Sequence, residues 1–207
     1  MSDSPLIHVV DDDESLRTAL LRLLTASGYR ARGYASAGDF LLYPQEDCPG
    51  CLLLDLNMPG GPSGLELQTG LQSRGVHLPV IFFTGYGDMT TSVRALKAGA
   101  VDFLAKPVER KVLLDALQHA LALDLVWRNN REQATDLRAR FSSLSLRERE
   151  VFDLVLEGQL NKQIADQLRV CERTVQTVRA QLMLKLGAES VAELGRLAER
   201  LKQLSEA

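Results

Sequence analysis

Cys51-Leu52-Leu53-Leu54 is apolar at every position, ends on Asp55, and runs into a Met58-Pro59-Gly60-Gly61-Pro62 turn. A strand with no polar face must be covered on both sides, which places it in a parallel sheet sandwiched between helices. Such a sheet needs strands and helices in alternation, and the first 124 residues supply them. In chain order, Leu6-Ile7-His8-Val9-Val10 is strand one, 29–34 a weaker strand two, the Cys51 run strand three, Pro79-Val80-Ile81-Phe82-Phe83-Thr84 strand four and Val101-Asp102-Phe103-Leu104-Ala105 strand five. Between them, Leu16, Leu20, Leu23 and Leu24 recur at helical spacing up to Gly28. Short helices are predicted over 36–42, with Ser36 as cap, over 64–73, and over 90–97, closed by Gly99. A long amphipathic helix begins near Glu109. The pattern predicts an α/β domain built on a five-stranded doubly wound parallel sheet.

In a sheet of this kind the carboxyl ends of the strands share one edge, where ligands bind. Strand one delivers Asp11 and Asp12 to that edge, strand three Asp55, strand four Thr84 and strand five Lys106. An isolated Asp after an apolar run reads equally as a turn initiator or a helix cap. Asp11-Asp12-Asp13-Glu14 reads equally as a solvated helix start. All these ends carrying complementary chemistry is what favours a site. Three crowded carboxylates repel one another unless a cation joins them, and hard oxygen donors suit Mg²⁺. A lysine and a hydroxyl opposite suit a phosphoryl group.

Residues 5 to about 124 resemble the receiver domain of two-component response regulators, a flavodoxin-like fold. The resemblance rests on Val10-Asp11-Asp12, Leu54-Asp55-Leu56-Asn57-Met58-Pro59, Phe83-Thr84-Gly85 and Lys106-Pro107. It implies that Asp55 accepts a phosphoryl group from a phosphohistidine on a sensor histidine kinase. It implies Mg²⁺ held by Asp12 directly, by Asp11 mainly through water, by Asp55, and by the backbone carbonyl of Asn57. Lys106 and Thr84 would take phosphoryl oxygens, and Phe103, three residues before the lysine, would be the switch aromatic that turns inward when Thr84 moves. The Lys106-Pro107 bond would be cis. One departure is visible: Asp55 and Gly64 are nine positions apart, one more than is usual in the family, with Gly60-Gly61-Pro62 taking the extra room.

Charge divides along the chain. Through Asp124 there are 10 Lys+Arg and 15 Asp+Glu, net −5; from Leu125 there are 14 and 12, net +2. An acidic front and a basic rear suit a nucleic-acid-binding second domain. Cys48-Pro49-Gly50-Cys51 has C-x-x-C spacing, but there is no second pair, and Cys51 opens a buried strand, which argues against redox or zinc chemistry. His8, His77 and His119 show no metal-ligand spacing. No apolar run is long enough to cross a membrane, and the first residues do not read as a signal peptide, so the expected location is the cytoplasm, away from membranes.

From Glu109 to about residue 140 the sequence reads as one helix without Gly or Pro, apolar at Leu113, Leu117, Ala120, Leu121, Leu125 and Trp127 and polar beyond. It is either a solvated linker or a rod that couples domains. Ser145-Leu146-Arg147-Glu148 is a capping box opening a further helix, Gly158 breaks it, and short helices follow over 161–168 and 172–186. Ser190-Val191-Ala192-Glu193 opens a last helix to about Leu204. Two short helices with a tight turn suggest a helix-turn-helix.

Residues 144–204 resemble the LuxR/FixJ-type output domain, through Leu144-Ser145-Leu146-Arg147-Glu148-Arg149-Glu150-Val151, Gly158, Asn161-Lys162-Gln163-Ile164-Ala165, Arg173-Thr174-Val175 and Lys185-Leu186. That implies an all-α four-helix domain that binds double-stranded DNA, with residues 174–185 as recognition helix. Gln176, Thr177 and Ala180 would lie toward the bases, and Lys162, Arg173, Arg179 and Lys185 toward phosphates, with Thr174, at the helix start, also among the DNA-binding residues. Val178 and Gln181 stand where the family often has His and Asn, which points to few base-edge contacts. The last helix, with Val191, Leu194, Leu197, Ala198 and Leu201, would supply a dimer face.

The expected organisation is a receiver over residues 1–124, a helical linker over 125–143 and a DNA-binding domain over 144–207. The expected function is transcription control by phosphorylation rather than enzymatic turnover. The partners are a sensor kinase, promoter DNA, RNA polymerase as a further candidate, and a second copy of the chain once phosphorylated. A phosphatase working through an aspartyl phosphate would want a second Asp where Asn57 stands. A regulator acting by protein contacts without phosphate is the other rival.

Overall fold

The computed structural model describes residues 4–43, 46–59, 61–85 and 96–206. They divide into two compact units, 1–128 and 129–207. In the first, strands β1 (Leu6–Val10), β2 (Arg30–Tyr34), β3 (Gly50–Leu54), β4 (Val80–Thr84) and β5 (Asp102–Ala105) pair in parallel in the order β2-β1-β3-β4-β5. Every residue of β1, β3 and β4 is buried, whereas β2 and β5 are partly exposed, as central and edge strands should be. Helices α1 (Glu14–Ala26), α2 (Ala37–Leu42) and α3 (Gly64–Ser73) connect the strands, and α4 (Arg110–Ser142) follows β5. The helix predicted over 90–97 falls largely outside the described residues.

Period-two alternation sorts the strand side chains into two cores. Ile7, Val9, Cys51, Leu53, Ile81 and Phe83 face Leu20 and Leu24 of α1 and Leu113 and Leu117 of α4. Val10, Leu52, Leu54, Val80 and Phe82 face Phe40 of α2 and Leu67 and Leu71 of α3. Each such large side chain, fully buried, contributes about 1.5–3 kcal/mol. The helices begin where side-chain oxygens cap them: Asp13 Oδ1 accepts the Ser15 and Leu16 N–H groups, and Ser63 with Glu66 forms a reciprocal capping box.

His8 is the polar exception in β1. Its Nδ1 lies 2.9 Å from Tyr34 Oη, and its ring packs on Tyr34 and Phe40. Burial lowers its pKa to about 4, helped by Arg32 and opposed by Glu46. Below pH 6.5 the unfolded chain takes a proton that the folded chain refuses, so stability falls as pH drops from about 6.5 toward 4. This group alone should cost about 2.5 kcal/mol at pH 4.5 relative to pH 7. Urea unfolding at the two pH values should show that excess loss in the wild type over a His8→Gln variant; equal losses would refute the assignment.

The second unit contains residues 129–142 of α4 with α5 (Leu146–Leu156), α6 (Asn161–Leu168), α7 (Glu172–Leu186) and α8 (Val191–Glu206). Its core gathers Val151, Phe152, Val155, Ile164, Val175, Leu182, Leu186 and Leu194, with Phe141 of α4 packed against it. A capping box of Ser145 and Glu148 opens α5, as expected. At α8 the predicted box is half formed: Ser190 Oγ accepts the Glu193 N–H, but the Glu193 carboxylate takes the Glu189 N–H. The turn between α6 and α7 passes through Arg169 in the left-handed region, φ 52°, and the Val170 N–H closes on the Ala165 carbonyl.

Two findings refine the sequence reading. Ala134 and Leu137, in the stretch read as linker, are buried, so this part of α4 is built into the second unit. Leu194 (0% exposed) and Ala198 (9%), read as part of a dimer face, lie in the unit's own core. Val191 is exposed, and Leu197 and Leu201 are only partly buried, so the unit's own helices cover part of the stripe.

Candidate functional site

The strand ends converge because the sheet's hydrogen bonds continue past them. The Asp55 N–H bonds the Val10 carbonyl, the Asp11 N–H the Tyr34 carbonyl, and the Lys106 N–H the Thr84 carbonyl. One ligand oxygen from each of Asp11, Asp12 and Asp55 lies within 4.8 Å of the others. Lys106 Nζ bridges two of the three, 2.7 Å from Asp11 Oδ2 and 2.8 Å from Asp55 Oδ2, and sits 5.2 Å from the centre of the Phe83 ring. The Lys106-Pro107 bond is cis. Asp55 Oδ1 accepts the Asn57 N–H, and Asp11 Oδ1 the Asp13 N–H. Thr84 is buried at the end of β4, and Phe103 is partly buried on β5, its ring 6.5 Å from that of Phe82.

Electrostatics follow from one ammonium serving three carboxylates. Burial raises the pKa of Asp11, which is 1% exposed, and Lys106 only partly offsets this. For Lys106, burial works against the charge, but hydrogen bonds and attraction from Asp11 and Asp55 outweigh it and raise its pKa. Three carboxylates gather around one ammonium, which leaves negative charge over. Asp12 is exposed at the open side of the cluster. Hard oxygen donors with uncompensated charge and an open side fit a small divalent cation.

Two contacts at the site were not foreseen from the sequence. Arg17 donates to the Asp11 backbone carbonyl at 2.6 Å, and the Phe83 ring lies against Lys106. The first was readable: Arg17 stands one helical turn beyond Asp13, the cap of α1.

In the second unit, Arg173, Gln176, Thr177, Ala180, Gln181 and Leu184 line a shallow depression of about 500 Å³ on α7. Thr174 is exposed at the start of the same helix, its Oγ1 3.1 Å from Cys171 Sγ, and Lys162 is exposed on α6. Two of the basic residues read as phosphate contacts are engaged within the unit. Arg179 donates to Asn161 Oδ1 at 2.8 Å, and Lys185 Nζ lies 2.7 Å from the buried Glu148 carboxylate, whose pKa it lowers. Both cysteines of the C-x-x-C are buried thiols, and burial pushes the Cys51 thiol far above the thiolate range.

Comparison with known proteins agrees with this geometry over both units. Residues 7–118 match the family described as "Response regulator receiver domain", and residues 142–198 the family "Bacterial regulatory proteins, luxR family". The chain is 42% identical to the response regulator protein TmoT of Ectopseudomonas mendocina over 95% of its own length and 89% of that relative's. It is 40% identical to nodulation protein W of Bradyrhizobium diazoefficiens over 97% and 88%. Among solved structures, that of the response regulator StyR superposes with a TM-score of 0.85 at 42% identity, over 95% of this chain and 99% of that one.

Proposed function

The chain belongs to the response regulators that join a receiver domain to a LuxR-type DNA-binding domain, and on that premise we propose that phosphorylation of Asp55 controls its binding to promoter DNA. The observation that supports this most is the Lys106 ammonium bridging Asp11 and Asp55 at 2.7 and 2.8 Å, beside a third carboxylate.

An Asp55 carboxylate oxygen attacks the phosphorus of a phosphohistidine on a sensor kinase. The new O–P bond forms as the donor's N–P bond breaks, and the imidazole leaves. Lys106 holds Asp55 in place and then pairs with a phosphoryl oxygen, while the Thr84 hydroxyl takes another. Asp11, Asp12, the Asp55 carboxylate and the Asn57 carbonyl would hold Mg²⁺, which when bound supplies charge neutralisation for the phosphoryl group. Movement of Thr84 lets the half-buried Phe103 turn inward, a local electrostatic event read by a packed element.

In the output unit, Thr174, Gln176, Thr177 and Ala180 present the readable face of α7 to base edges. Arg173, Lys162 and Arg179 are the phosphate contacts, Arg179 with the Asn161 amide orienting it. Lys185 reaches phosphate only by giving up Glu148. Phosphorylation favours a homodimer that reads two half-sites and acts on RNA polymerase in the cytoplasm.

The test is to select binding sites from random-sequence DNA and titrate the full-length protein onto them, with and without acetyl phosphate and Mg²⁺. Phosphorylation should tighten binding at least about tenfold, a coupling in the usual 1–3 kcal/mol range. Equal affinity in both states would favour a regulator acting by protein contacts alone.

A further inference from the structure

Helix α3 reaches the chain that leads into β5 through a single carbonyl. Gln68 and Gln72, one turn apart on α3, each donate from Nε2 to the Ala98 carbonyl oxygen, at 3.0 and 2.8 Å. Two donors use both lone pairs of that oxygen. The chain then turns at Gly99, φ +86°, where a Cβ would lie 3.1 Å from Gln72 Nε2. Two residues on, the Val101 N–H bonds the Val80 carbonyl at 2.8 Å and the chain enters β5. The two amides therefore brace α3, whose first residue packs beneath the Asp55 turn, against the strand that leads to Lys106.

Half of the Gln68 amide is left over. The residue is 1% exposed, and nothing among the described residues donates to its Oε1. Turning the amide over does not help: it would set that oxygen against the Ala98 carbonyl and orphan the nitrogen instead. Buried carbonyls in folded proteins find a donor, in the chain or in ordered water. Gln68 lines a cavity of about 70 Å³, whose walls include Leu71, Gln72, Val80, Gly99 and Trp127. A water needs about 10–15 Å³ of such space, whereas a cavity that takes a benzene ring is nearer to about 150 Å³. The space suits water and is too small for an aromatic ligand. Gln72 offers a bound water further partners from the same wall, since its amide carries a second N–H and an oxygen. We propose that this cavity is a hydration site, in which ordered water donates to Gln68 Oε1 and completes the polar brace between α3 and the entry to β5. Water there satisfies both ends of the Gln68 amide at once, which lets the brace sit in a largely apolar wall.

A crystal structure of the full-length protein, fine enough to place water, tests this directly. Density should stand within hydrogen-bond distance of Gln68 Oε1. It should be gone in a Gln68→Met protein, which keeps the length of the side chain and drops both polar atoms. In the same variant the Gly99 and Val101 amides should exchange with solvent about tenfold faster, relative to those of β1, than in wild type. A dry cavity in the wild type, or a protein group rotated onto Gln68 Oε1, would overturn the hydration site. Unchanged relative exchange at Gly99 and Val101 would overturn the brace.

Discussion

An Asp55→Asn protein should take up no measurable phosphoryl group from acetyl phosphate, a loss of at least about 100-fold, while remaining folded. The amide keeps the shape of the side chain, and its oxygen can still accept from Lys106 Nζ, now 2.8 Å from Asp55 Oδ2. What disappears is the nucleophile. The same change removes one of three clustered carboxylates facing a single ammonium, so the repulsion that accompanies burial in raising the Asp11 pKa is relieved. In the absence of divalent cations the variant should therefore be more stable than wild type, by about 1 kcal/mol in urea unfolding. A variant that is both unlabelled and stabilised has lost chemistry rather than structure. Equal labelling of variant and wild type, read by intact mass, would move the acceptor elsewhere and remove the basis for the proposed switch.

Much of this site was legible because its residues stand at strand ends. A run such as Cys51-Leu52-Leu53-Leu54 has only one comfortable place in a parallel sheet, and once five strands alternate with helices, the residues after them share an edge. The output unit was legible in its helix boundaries for a similar reason: Ser145 with Glu148, and Gly158 at φ +82°, are local signals that tertiary structure did not override. What was not legible is which partner an apolar or charged group takes. Residues 129–142 are mostly polar and read as linker, yet Ala134 and Leu137 are buried and Phe141, one turn further, packs against the second core. The α8 stripe was visible, but not that its own unit covers Leu194 and Ala198. The Asp124 carboxylate finds the Gly50 N–H across 74 residues of sequence, and Lys185 finds Glu148 across 37. No periodicity announces pairs of that kind.

Gly64→Ala should destabilise the receiver by about 2–3 kcal/mol and slow phosphoryl uptake, although the substitution improves helix propensity. Gly64 is the first residue of α3, packed directly beneath the turn that carries Asp55. A Cβ built there would lie 2.4 Å from the Asp55 carbonyl oxygen, 3.0 Å from Phe82 Cε1 and 3.1 Å from Leu56 Cα. Two of those three atoms are backbone, so no side-chain rotation makes room. Either α3 withdraws, weakening the Leu67 and Leu71 packing, or the Asp55 turn shifts within the cluster. The need is for space and not for an unusual backbone angle, since Gly64 is absent from the positive-φ glycines. Gly70 supplies the control in the same helix: a Cβ there meets nothing within 4 Å. Gly70→Ala should therefore stabilise by about 0.5–1 kcal/mol through propensity alone and leave phosphorylation unchanged. Opposite signs for the two alanines in urea unfolding are the expected result. Shifts of the same sign would mean that α3 does not pack against the phosphoacceptor turn as closely as described, and that the extra residue between Asp55 and Gly64 is taken up in some other way.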